Sequence, residues 1–134
     1  MIKTIIISTK GFCDLVNITD QAADFVRKSK IKEGFLSVFI SGSTAGVTTI
    51  EYEEGLVQDF KETMERLVPS NKTYHHDTKW GDGNGFSHIR ASLLGSSLMI
   101  PIKNGNLMLG AWQQIVVCDF DNRPRNREVV LVAK

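Results

Sequence analysis

Residues 74–95, "YHHDTKWGDGNGFSHIRASLLG", hold all three histidines of the chain, His75, His76 and His88, beside Asp77, Asp82 and Asn84. Imidazole nitrogens completed by carboxylate oxygens are a donor set that divalent transition metals favour, so one reading of this stretch is a metal site. The other is a polar loop whose histidines are satisfied by hydrogen bonds. No HExxH pattern is present, and neighbouring histidines in an extended segment point to opposite faces, so only one of His75 and His76 should face a common site. The glycines of "WGDGNG" allow a tightly turning backbone whose N–H groups can converge on a ligand. Asn84 or Ser87 can cap a short helix over "HIRASLLG" that ends at Gly95. The N–H groups opening that helix favour an anion, and Arg90 offers a fork for phosphate oxygens, although a lone arginine more often only solvates a helix face.

A second candidate is "SGSTAG" (41–46), where backbone donors and the hydroxyls of Ser43 and Thr44 can approach a phosphate. It lacks the lysine and spacing of a P-loop, so nucleotide hydrolysis of that kind is not indicated. Beyond it stand Glu51, Glu53 and Glu54; the last two suit the opening of a helix, which leaves Glu51 as the candidate base or supporting carboxylate. In "GAWQQIVVCDFD" (110–121), Trp112 reads most simply as core or subunit-interface packing, and its two neighbouring amides need partners if buried.

These residues must be positioned by elements that the pattern partly specifies. "KTIIIST" (3–9) is a β-branched strand, Thr19 can cap a helix running to about Lys30 and closed by Gly34, and "FLSVFIS" (35–41) alternates as a strand. "VTTIEYE" continues extended, and Leu56, Phe60, Met64 and Leu67 recur at helical spacing until Pro69. The Asn-Gly at 104–105 supplies the positive φ values of a tight hairpin between "SLMIPI" and "NLMLGAWQQIVVCDF". With "EVVLVA" (128–133) this predicts a meander of three consecutive strands, and the class is α+β: one compact domain over 1–134, with antiparallel-rich sheet layers and a few helices.

Composition bounds the rest. A chain of 134 residues, 42% hydrophobic and 23% charged, can bury one core of its own. Its 16 basic and 15 acidic residues leave a formal charge of +1, so no whole-molecule field attracts nucleic acid or a membrane surface. Cys13 and Cys118 form no CxxC pair and read as small apolar residues of a reducing compartment. With neither a signal-peptide pattern nor an apolar run approaching the roughly 20 residues of a membrane span, the expected location is cytoplasmic.

Taken together, "WGDGN…SH…RASLLG", then "IP…NG.L.LG.WQQI…DFD..R", preceded by "STA" and Glu51, resemble the YjbQ-like proteins, often labelled secondary thiamine-phosphate synthases. The likeness runs from about Ser41 to Arg127. It implies a small α+β fold assembling as a homotrimer, with polar residues gathered near subunit contacts. It also implies transfer chemistry on phosphorylated small molecules: a hydroxymethylpyrimidine diphosphate joined to a thiazole phosphate, with release of diphosphate. The alternative is a non-catalytic trimeric protein that binds a metal or an anion.

The site carried over by this resemblance has Glu51, Asp82 and Asn84 as catalytic candidates, and His76 and His88 as ligands of a divalent metal, zinc or magnesium. Ser43, Thr44 and Arg90 are its substrate-binding candidates. Phe86 or Trp80 is left to wall an apolar ring. Gly42 and Phe86 stand where the family commonly has histidine, which removes two imidazole donors. On a helix the directions of His88 and Arg90 differ by about 200°. The two are therefore not expected on one face, and Arg90 is expected to complete the anion site of an adjacent subunit.

Overall fold

The run from Ile115 to Cys118 is apolar on both sides, so it has to be covered on both. The computed structural model, which describes residues 1–134, meets that demand with three layers. Its elements in order are β1 (Ile2–Thr9), β2 (Asp14–Asn17), α1 (Thr19–Ser29), β3 (Glu33–Ile40), β4 (Ala45–Glu51), α2 (Glu54–Leu67), α3 (His75–Trp80), α4 (Gly85–Leu94), β5 (Ser97–Lys103), β6 (Asn106–Leu107), β7 (Gln113–Asp119) and β8 (Arg125–Ala133). Strands β1-β8-β3-β5-β6 form one antiparallel sheet and β2-β7-β4 a second. The class is α+β, as the pattern of elements predicted.

Alternation decides which side chains meet. Leu36, Val38 and Ile40 of β3 and Val129, Leu131 and Ala133 of β8 turn toward Val47, Ile115 and Val117 of the smaller sheet, with Phe25 and Val26 of α1 closing the same core. On the other face of β7, Val116 and Cys118 join Cys13, Leu15 and Phe120 in a second cluster, roofed by Val57, Phe60 and Met64 of α2 and by Ala91 and Leu94 of α4. Both cysteines are free and buried here. Burial pushes the Cys13 thiol up to about 11 and raises Cys118 further, so neither is a ready nucleophile.

Several sequence expectations are corrected. The three last strands are not a meander: β6 ends at Leu107, the chain crosses to the second sheet, and β7 pairs with β2 and β4, whereas β8 pairs with β1 and β3. The hairpin at Asn104 (φ 53°) and Gly105 (φ 77°) is present. Thr19 is the first residue of α1, not its cap; Asn17 accepts from both the Thr19 N–H and its hydroxyl, and the Thr19 hydroxyl accepts from Ile115 N–H. Lys30, in the left-handed region, closes that helix. Gly34 instead lies in β3, where a side chain would collide with the carbonyl of Lys134. Leu67 and Trp112 are exposed, so neither packs in the core of this chain.

The largest correction concerns Arg90, which is neither a solvated helix residue nor free to bridge to another subunit. It is 2% exposed; its Nε and Nη2 donate to the Val68 carbonyl at 3.0 and 2.8 Å, and Nη2 also donates to Glu65 at 2.8 Å. Its guanidinium rests over the Phe86 ring, whose burial also takes Phe86 away from any substrate. Arg90 therefore ties the carbonyl end of α2, at its buried cap Val68, to the middle of α4. Arg90→Ala is expected to lower the free energy of unfolding by about 2–3 kcal/mol, as when buried charge-assisted partners are orphaned. Urea denaturation measures this; a loss below about 0.5 kcal/mol, the ordinary surface value, would show that the helices hold without it.

Candidate functional site

Where an extended segment was expected, Tyr74–Gly81 forms the short helix α3 and its caps. The cause is Asp77, whose carboxylate accepts from the Tyr74 N–H at 2.9 Å and from the Gly85 N–H at 2.7 Å, fixing the start of α3 against the start of α4. These two backbone donors hold the Asp77 carboxyl below its usual range. Gly81 (φ 69°) ends the helix, and Gly85 has no room for a side chain against Tyr74.

Helical geometry, not strand alternation, separates the adjacent histidines, since neighbours on a helix differ by about 100°. His75 is exposed beside Lys72 and Thr78, whereas His76 turns inward and its ring lies 4.4 Å from that of His88 on α4. His76, Asp77 and Asp82 offer ligand atoms within 4.8 Å of one another. Nδ1 of His76 is buried with no hydrogen-bond partner, although Asp82 Oδ1 is only 3.4 Å away. An imidazole nitrogen withheld from water beside a carboxylate suits a divalent cation. His76, Asp77 and Asp82 are the donors brought together; both Asp77 oxygens and Asp82 Oδ1 already accept from backbone N–H groups, and His88 joins them through its ring contact with His76.

The remaining candidates divide. Asn84 is 6% exposed; its carbonyl oxygen accepts from the Ser87 hydroxyl at 2.6 Å and from the Asn122 N–H at 3.1 Å, which pins the start of α4 to the loop after β7. Thr44 is buried, donates to Asp121 at 2.8 Å and accepts from Arg127 at 2.6 Å, so its hydroxyl is committed within the chain. Ser43 lines a cleft of about 230 Å³ between the Gly42–Ser43 turn and α4. Glu51 lies elsewhere. It is exposed at the far end of β4, seven residues and roughly 20 Å from Thr44 at about 3.3 Å per residue, in a separate cleft with Tyr52, Trp112 and Gln114. Within one chain it does not meet Asp82 or Asn84. Trp80, the last residue of α3, is exposed.

Sequence reasoning passed over the buried ionic group beneath this site. Asp119 and Asp121 are fully buried; Arg127 grips Asp119 through Nε at 2.7 Å and Nη2 at 2.8 Å, and Arg125 donates to Asp121 at 3.1 and 3.0 Å. "DNRPRNR" was legible as a turn, but acids at the end of the buried run from Ile115 to Cys118 demand buried cations, and Arg125 and Arg127 supply them. Burial works against the Asp121 charge, yet the Thr44 hydroxyl and Arg125 outweigh it, so its carboxyl sits below the usual range.

A depressed folded value means that the carboxylate's contribution is complete above the unfolded pKa, near ~3.9, and is lost as pH falls through the folded one. Asp77 and Asp121 both have this sign. Urea midpoints should therefore be level from about pH 7 to 5 and fall steeply below about pH 4, with a shallower fall for Asp121→Asn. A wild-type midpoint that holds to pH 3 would contradict the assignment.

A family model described as "UPF0047 protein YjbQ-like" matches residues 3–133. A UPF0047 protein of Archaeoglobus fulgidus is 38% identical over 120 residues, covering 90% of each chain, and the UPF0047 protein YugU of Bacillus subtilis is 31% identical over 128, covering 95% of this chain and 94% of that one. A crystal structure described as a YbjQ-like protein of unknown function, from Sulfolobus solfataricus, superposes with a TM-score of 0.93 at 30% identity, over 99% of this chain and 95% of the other. A family structure from Clostridium acetobutylicum gives 0.91 at 32% identity, over 98% and 99%.

Proposed function

The chain belongs to the YjbQ-like UPF0047 family, and from that premise we propose that it is a metal-assisted transferase acting on phosphorylated small molecules. The observation that carries this reading is the pairing of His76 with His88 beside Asp82, with His76 Nδ1 buried and unspent. His76 and His88 would hold a divalent ion, with Asp82 completing the donors. Such an ion supplies charge neutralisation to phosphoryl oxygens.

The chain's own groups supply the rest. Asp77 and Asn84 orient α3 and α4, Asp82 remains open to solvent for proton exchange, and Ser43 lies in the neighbouring cleft. Thiamine-phosphate synthesis, the joining of a pyrimidine diphosphate to a thiazole phosphate, is the reaction that the resemblance implies. Glu51 serves it only if a second subunit brings that carboxylate to the site.

A homotrimer is part of the same proposal. The outer face of the larger sheet supports association, because Ile2 and Ile6 of β1, Phe39 of β3 and Met99 of β5 are exposed there. The second reading, a non-catalytic metal- or anion-binding protein, is favoured by the commitment of Arg90, Asn84 and Thr44 to internal bonds.

Titration calorimetry with zinc and with magnesium tests the metal site: His76→Ala and His88→Ala are expected to weaken binding at least about tenfold, and His75→Ala to leave it unchanged. Equal loss at all three would mean a different ligand set. Release of diphosphate from the two thiamine precursors by metal-loaded protein is then the test of catalysis; tight metal binding without release selects the non-catalytic reading. For assembly, light scattering at micromolar concentration should return three times the chain mass, and a monomer would remove the trimer from the proposal.

A further inference from the structure

We infer that Arg127, not Arg90, furnishes the phosphate-recognising guanidinium of this chain, reaching the cleft between the Gly42–Ser43 turn and α4 from behind. The side chain is only 8% exposed, and its Nε and Nη2 are consumed by Asp119 and Thr44. Nη1 has no acceptor. Arg127 does not itself line the cleft, but Nη1 packs against Gly42, which does, 2.7 Å from where a Cβ at that position would stand, so a side chain there would cover this nitrogen and the glycine (φ 118°) does not.

The cleft in front holds about 230 Å³, several times the ~30 Å³ share of one water. Ser43 and Ser96 line it with unpaired hydroxyls, and the backbone N–H groups of Gly42 and Ser43, which also line it, find no acceptor in the chain. No carboxylate lines it. A cleft with several free donors and no acidic side chain selects a tetrahedral oxyanion.

Charge sharpens the class. Arg127 is already balanced by Asp119, and Arg125 by Asp121, so recognition rests on directed hydrogen bonds more than on net field. A phosphate monoester has oxygens enough to engage them. Its carbon side would extend along α4 toward the histidines: Ser92, on the wall of the cleft, donates to the His88 carbonyl at 2.8 Å, one turn or about 5.4 Å away. The inference rests on the reading of a phosphorylated substrate and names where its phosphate is held.

Binding of inorganic phosphate, followed by calorimetry on the full chain both as purified and after chelation of metals, tests it. Phosphate should bind in both states, sulfate should compete, and both Gly42→Ala, which covers Nη1, and Ser43→Asp, which puts a carboxylate in the cleft, should weaken binding at least tenfold. Circular dichroism checks folding; if the strained Gly42→Ala chain does not fold, the exposed Ser43→Asp position decides. Phosphate binding that survives Ser43→Asp, that vanishes on chelation, or that never occurs overturns the inference. Loss on chelation alone would leave the metal-assisted reading standing, whereas phosphate binding without any metal binding would do the reverse.

Discussion

A strand that is apolar on both faces cannot lie at a surface, and β7 imposes that condition on everything around it. Ile115 and Val117 require the larger sheet on one side; Val116 and Cys118 require α2 and α4 on the other. The helices that carry the candidate site are thus present as a roof before they are anything else. α4 is held down by Ala91 and Leu94, and the face that remains presents His88 and Ser92 to the loops beside it.

The same strand ends at Asp119, with Asp121 two residues beyond, and the place where apolar burial stops is where buried charge begins. Two carboxylates with no exposure are tolerable only because two guanidiniums and the hydroxyls of Thr9 and Thr44 surround them. That arrangement joins β1, β4, β7 and β8 at one end of both sheets. It also explains why Thr44, in a turn that looks made for a ligand, spends its hydroxyl internally while Ser43, one residue earlier and on the opposite side of the backbone, does not.

Legibility in the sequence followed the physics that each signal carries. Alternation in β3, the Asn-Gly hairpin and the helical stripe of Phe60 and Met64 are local patterns, and they appear where they were read. Strand partners are not local: nothing between Leu107 and Gln113 announces that the chain changes sheets. α3 was missed because its stability comes from Asp77 binding the backbone of Tyr74 and Gly85, a bond across the turn. Of the candidate residues, His76 lies beside Asp82 and against the His88 ring, and Ser43 lines a separate cleft by α4. Arg90, Asn84 and Thr44 proved to hold the frame, since a buried polar group and a ligand-binding one have the same letter in a sequence.

The pairing of β1 with β8 has a temporal side. Ile2 stands opposite Val132 and Thr9 opposite Arg125, and β8 is also the strand that joins β1 to β3. Contacts of such sequence separation carry a large loop-closure cost and slow the search for the native state. During synthesis, the β1 and β3 edges that β8 will fill must wait until residues 125–133 have emerged from the ribosome. Through that interval the β-branched run of β1 is an unpaired edge of the kind that invites pairing with other chains.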